Sequence, residues 1–175
     1  MLKTAWVFAY GSLMWRPGFG YAERIGAHLA GAHRRLCVYS HVHRGTPEKP
    51  GLVLGLDRGG ACHGVAFRVE PDAWDDTIAY LRAREQVTMV YREAVRPVRL
   101  ADGRRVHAVA YLVDRTHGQY AGKLSLDEQT VFVRQGIGQS GPNGEYVRNT
   151  LSHLDELGIH DSMLHALVTR LDAKP

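Results

Sequence analysis

Two stretches of the 175-residue sequence carry side chains suited to moving a proton. The first is Tyr10-Gly11-Ser12-Leu13, which follows directly on the apolar run Ala5 to Tyr10. A glycine and a serine at the end of a buried strand offer close backbone approach, convergent amide donors and one hydroxyl. The second is Glu85, the last residue of PDAWDDTIAYLRARE (Pro71–Glu85). Ile78, Leu81 and Glu85 follow Trp74 by 4, 7 and 11 positions. At ~100° per residue, Glu85 falls within about 20° of Trp74 on the apolar helix face. A carboxyl aimed at the core, at a helix C-terminus whose dipole disfavours negative charge, is pushed toward the range of a general base, with Arg84 opposing. The same periodicity also fits a helix that stops one residue earlier, with Glu85 solvated and paired to an arginine. Glu93, on the next strand-like segment, has neither feature and is expected to matter far less.

Other chemically suggestive patterns carry less. Gly11-Ser12-Leu13-Met14 lacks the second glycine of a G-x-S-x-G elbow, so Ser12 reads as a donor rather than a nucleophile. GIGQSG (Gly136, Gly138, Gly141) fits G-x-G-x-x-G but follows a predicted helix instead of a strand, which makes it a helix-to-helix connection. His41-x-His43 would place two imidazoles on one strand face, yet spacing supplies no third ligand, and no metal is expected. Cys37 and Cys62 lie in strand-like segments without C-x-x-C spacing and read as reduced core thiols.

Several elements must position these groups. Strands are expected over Arg34–His43, Gly51–Asp57 and Cys62–Val69, joined by the polar loop His43–Gly51 and a tight turn at Asp57–Ala61. Val90–Leu100 and Arg105–Val113 flank Ala101-Asp102-Gly103, where Asp-Gly is a hairpin signal, and Pro97 confines the first of the pair to an edge or a bulge. Beyond the Pro71–Glu85 helix, Ser125-Leu-Asp-Glu128 is a capping box for a helix through Gln135. Asn143 and Asp161 read as N-caps of two more helices separated by Gly158. About six strands in hairpin succession and four helices predict an α+β fold: a small, mainly antiparallel β-barrel with helices packed outside, as one domain over residues 1–175.

Composition bounds the function. Hydrophobic residues make up 45% and charged ones 23%, the balance of an ordinary soluble protein. The Ala5–Tyr10 run is shorter than the ~7 residues of a signal-peptide core, and nothing nears the ~18 apolar residues of a membrane span. A cytoplasmic protein without a membrane partner is expected. The formal net charge is +4, but Lys and Arg occur singly or in pairs such as Arg34-Arg35, with no basic run interleaved with aromatics. Small anions therefore suit the chain better than nucleic acid.

WVFAYGSLMWRPGF resembles the N-terminal strand and loop of the ChaC family of glutathione-specific γ-glutamylcyclotransferases. HRGTPEKPG, HGVAFRV, YLRAREQVTMVY and SGPNGEY are similar to further blocks of that family, in the same order, and the likeness runs from about Trp6 to Leu171. The resemblance implies a small β-barrel that cleaves glutathione to 5-oxoproline and cysteinylglycine without a cofactor. It implies that Val7, Phe8, Ala9, Tyr10, Gly11, Ser12 and Leu13 form the substrate-binding strand end and loop, that Glu85 is the catalytic acid/base, and that Tyr146 belongs to the pocket wall. One departure stands out: where the family commonly carries glycine soon after the catalytic Glu, this chain has Met89 and Val90.

The implied chemistry suits these residue types. A γ-glutamyl amide carries its own nucleophile, the α-amine, and intramolecular attack removes much of the entropic barrier, so no nucleophilic Ser or Cys is needed. One carboxyl of raised pKa can take the amine proton and deliver it to the leaving nitrogen. Two alternatives remain at this point: a cyclotransferase for other γ-glutamyl peptides or γ-glutamylamines, and a non-catalytic ligand-binding barrel.

Overall fold

The computed structural model describes residues 4–174. In chain order its elements are β1 (Trp6–Ala9), β2 (Glu23–Ser40), β3 (Gly51–Arg68), α1 (Trp74–Glu85), β4 (Tyr91–Leu100), β5 (Arg105–Val113), α2 (Leu126–Gln135), β6 (Ile137–Gly138), β7 (Gly141–Pro142), α3 (Asn143–Glu156) and α4 (Ser162–Asp172). Five strands close into a barrel in the order β1-β3-β2-β4-β5, and β6 and β7 form a separate two-stranded ladder. The fold class expected from the sequence holds.

All four residues of β1 are buried, and the strand is paired on both edges. It runs antiparallel to β3, with Val7 opposite Phe67, and parallel to β5, with Trp6 opposite Ala108. Burial of successive side chains, which point to opposite faces, explains the unbroken apolar run, since a strand covered on both faces has no reason to alternate. β4 and β5 pair antiparallel from Tyr91↔Val113 to Arg99↔Arg105, across a turn in which Gly103 takes φ 93°. Pro97 sits opposite His107, just before the stretch where Arg99 and Leu100 pair with His28 and Ala27 of β2. The missing N–H therefore falls outside that second ladder.

The sequence reading needs correction at four places. β2 begins at Glu23, well before Arg34, and ends at Ser40, so His41 and His43 lie in a bend and share no strand face. Gly51–Asp57 and Cys62–Val69 are not two strands joined by a turn but one 18-residue strand. Within it Gly59 and Gly60 take the left-handed φ values of 97° and 66°. Asp57 marks no turn either: its buried carboxylate accepts from Arg115 Nε at 2.7 Å and pairs with Arg35 at 3.2 Å. Asn143 is the first residue of α3, with Pro142 at the cap position. GIGQSG does join two helices, but through the β6–β7 ladder.

Two compact units divide the chain: one comprises the chain up to Arg35 with Gly55–His117, the other Leu36–Leu54 with the chain from Gly118 onward. In the first, α1 follows a 3-10 turn begun by Pro71 and buries Thr77, Ile78 and Leu81. In the second, α2, α3 and α4 pack on one another. Ser125 caps α2 through the expected reciprocal box, and Asp161 accepts from Leu164 N–H at the start of α4. Asn143 is fully buried, its carboxamide accepting from Leu52 N–H and donating to Leu52 C=O, both at 2.8 Å. The side chain thereby satisfies both backbone groups of Leu52 in β3. Cys37 and Cys62 are both buried.

Candidate active site

The loop after β1 is built on a fixed strand end. Arg34 donates from Nε to the Tyr10 carbonyl at 2.6 Å and from Nη2 to the His63 carbonyl at 2.8 Å, tying the end of β1 to β3. At Gly64 the two backbones come so close that a Cβ would lie 2.2 Å from the Ala9 carbonyl oxygen. Ser12–Met14 then forms a 3-10 turn, anchored by the buried Leu13 and Met14 and closed by Met14 N–H donating to Gly11 C=O at 2.9 Å. Anchored beneath, the turn leaves Ser12 exposed. Its leading amides have no acceptor within the turn, as at any helical start.

Glu85 ends α1, and its side chain is only 16% exposed. Burial pushes its carboxyl above the ordinary value of 4.5, with the Arg84 guanidinium 3.4 Å away pulling in the opposite direction. Both sequence readings of Glu85 are thus partly realised: it is paired with an arginine, and it is buried. The helix does not stop early.

Arg84 joins this carboxyl to the loop. Its Nη2 donates to Ser12 Oγ at 2.8 Å, and its Nη1 to the Arg16 carbonyl at 2.8 Å and to Tyr80 Oη at 3.2 Å. Ser12 and Glu85, found separately in the sequence, are brought to one guanidinium. The wider role of Arg84 was missed; the available signal was its spacing of four from Tyr80, which puts both on one helix face. Val7, Phe8 and Ala9 are buried in β1 and act as the mount, and Tyr10 is buried at its end. Tyr146 belongs to the second unit, where its hydroxyl accepts from Leu54 N–H at 3.0 Å and its ring lies 5.5 Å from the Arg44 guanidinium carbon.

A network also missed by sequence reading stands beside Glu85. Glu93 accepts from Arg82 Nε and Nη2 at 2.9 and 2.8 Å and from Tyr111 Oη at 2.9 Å. These donors hold its carboxyl below the ordinary value. Tyr111 is buried and its hydroxyl is pushed far up, chiefly by desolvation and by Glu93, with Glu85 adding to the shift. On the connection to β4, Met89 takes φ 60°, a left-handed conformation that glycine adopts without strain.

His43 Nδ1 lies 3.0 Å from Ser140 Oγ, and His41 stacks at 6.4 Å on Tyr39. Among the described residues no cluster of three or more His, Cys, Asp or Glu side chains is gathered to hold a metal ion, and no helix is long and apolar enough to cross a membrane.

The sequence profile of the ChaC-like proteins matches residues 5–174. The chain belongs to the ChaC-like family. A relative from Escherichia coli K12, named glutathione-specific gamma-glutamylcyclotransferase, is 32% identical over 163 residues, covering 93% of this chain and 71% of its own. A human relative, glutathione-specific gamma-glutamylcyclotransferase 1, is 30% identical over 172 residues, covering 95% and 78%. The crystal structure of a gamma-glutamyl cyclotransferase specific to glutathione from yeast superposes with a TM-score of 0.85 at 24% identity, covering 96% of this chain and 95% of that one. The ChaC-like barrel is thereby established as the fold.

Proposed function

We propose that the protein is a γ-glutamylcyclotransferase that converts glutathione to 5-oxoproline and cysteinylglycine, with Glu85 as its acid/base. One observation carries the reading: a buried carboxyl of raised pKa stands beside the loop that follows β1, bridged to Ser12 by Arg84. The names of the ChaC-like relatives support the substrate.

The reaction balances without a cofactor. Glu85 takes a proton from the α-ammonium, and the freed lone pair attacks the γ-carbonyl carbon to close a five-membered ring. The carbonyl oxygen gains charge, which Ser12 and the loop amides stabilise. Glu85 returns that proton to the leaving nitrogen as the amide C–N bond breaks, and the second proton, which the ring nitrogen sheds on becoming a lactam N–H, follows through the same carboxyl, so cysteinylglycine leaves as its ammonium. One carboxyl suffices because both nitrogens are bonded in turn to the same carbon, and burial makes it a stronger base than a solvated glutamate. The substrate is a small soluble peptide, and we take the protein to act in the cytoplasm without nucleic-acid or membrane partners. The pairing of Arg82, Arg92, Arg104 and Arg148 with carboxylates supports this, since those cations are already neutralised.

The test is product formation from glutathione, γ-glutamylcysteine and a γ-glutamylamine, read as 5-oxoproline. Glutathione should be converted fastest. N-acetyl-glutathione, whose α-nitrogen cannot attack, should compete for binding and release no cysteinylglycine. Cleavage of the acetylated peptide at a rate like that of glutathione would overturn the mechanism.

A further inference from the structure

We propose that Arg84 is a positioning residue that holds the Ser12 loop and the Glu85 carboxyl in one register, with the Ser12 hydroxyl turned to donate its proton to the substrate. The inference rests on the cyclotransferase reading and adds a role to it.

The geometry makes the case. One guanidinium spans three groups that the chain supplies separately: Ser12 Oγ at 2.8 Å, the Arg16 carbonyl at 2.8 Å and Glu85 Oε1 at 3.4 Å. Its planar fork fixes these directions together, as a lysine's point charge does not. The loop is clasped again at Gly18, whose φ is 76° and where a Cβ would sit 2.0 Å from Tyr80 Oη; that hydroxyl itself accepts from Arg84 at 3.2 Å. The stretch from Ser12 to Gly18 is therefore pinned to one face of α1.

Two consequences follow. Ser12 Oγ spends a lone pair on a cation, so its own O–H points elsewhere and becomes a stronger donor, while the oxygen becomes a poorer nucleophile. Arg84 also brings positive charge to Glu85. The other groups near that carboxyl are Tyr111 of β5 and, through it, Glu93 of β4, whose charge Arg82 neutralises. Arg84 is thus the cation that opposes Glu85's burial.

The test is a double-mutant cycle of Ser12→Ala with Arg84→Met, together with Arg84→Lys. Arg84→Met should lower kcat/KM by about 10- to 100-fold, the usual cost of a supporting residue. It should also move the acid limb of the kcat/KM profile up by about half a pH unit or more, because the opposing cation is gone. Arg84→Lys should restore the acid limb without restoring the rate. Ser12→Ala, which removes up to ~10³-fold in the wild-type background, should cost about tenfold less once Arg84 is methionine. An unmoved acid limb, or an equal Ser12→Ala cost in both backgrounds, overturns the proposal. If Arg84→Met does not fold, the cycle with Arg84→Lys decides it. A carbon-13 NMR titration of Glu85 reads the same shift without turnover, so absence of 5-oxoproline from the wild-type enzyme would sink the cyclotransferase reading while the Arg84 coupling is still judged.

Discussion

Glu85 and Glu93 bracket the connection between α1 and β4, and their surroundings drive their carboxyls in opposite directions. Glu85 is raised by burial against the pull of Arg84; Glu93 is lowered by Arg82 and Tyr111. Two carboxyls with separated pKa values are what an acid/base site needs: one whose proton is held more tightly than an ordinary carboxyl holds it and one that stays charged.

Glu85→Gln keeps the shape and removes the proton shuttle, so turnover should fall by at least ~10²- to 10⁴-fold with the fold intact. The sign of the stability effect follows from the raised pKa. Between the ordinary value of 4.5 and the higher native one, the folded state holds a proton that the unfolded state has released, so stability falls as pH rises through that window. The variant should therefore gain in Tm relative to wild type as pH rises above 4.5. Near-native turnover, or a Tm deficit that grows with pH, would make Glu85 a structural residue.

Glu93 should behave in the reverse manner. Its stabilisation is present above 4.5 and is lost as pH falls through its lowered native value. Glu93→Gln should cost about 1–3 kcal/mol at pH 7, the worth of hydrogen bonds to a charged group, and progressively less toward pH 3. Urea unfolding at both pH values checks this, and activity should fall far less than in Glu85→Gln.

Ser12→Ala should reduce kcat by up to ~10³-fold while leaving measurable turnover, as expected for the loss of one oxyanion donor. Mass spectrometry of the wild-type enzyme under turnover should find no acyl adduct on Ser12. Trapping of such an adduct would make Ser12 the nucleophile.

Gly64→Ala should destabilise the protein by about 1–3 kcal/mol or more and lower activity with it, because the new methyl meets the Ala9 carbonyl at the strand end that carries Tyr10. Gly118→Ala, where a Cβ meets nothing within 4 Å, should stay within about 0.5 kcal/mol of wild type. Equal Tm values for the two variants would contradict the close approach.

Much of this was legible where physics acts locally. The Asp102-Gly103 hairpin, the Ser125 capping box and the Asp161 cap each depend on groups within a few residues, and each formed as expected. The burial of Glu85 was one of two readings that helical periodicity, also local, allowed. What failed depended on distant partners. Asp57-Arg-Gly-Gly reads as a turn until Arg35 and Arg115 claim its carboxylate. Asn143 reads as a cap until Leu52 takes both ends of its amide. The residues Glu23–His33, with two glycines and weak alternation, join β2 only because a long partner strand is there to pair with. The span from Arg84 to Ser12 has no sequence signature at all, since it links positions 12 and 84 through the fold.

The parallel pairing of Trp6 and Val7 with Ala108 and Val109 sets an order of events during synthesis. β1 is complete in sequence well before β5, and one of its edges stays open until about a hundred further residues have emerged. Contacts of such long sequence separation form late and slow folding. The loop that carries Ser12 therefore acquires its final mount only after β5 docks, and a nascent chain interrupted before Val113 should hold Glu85 and Ser12 in full and still be inactive.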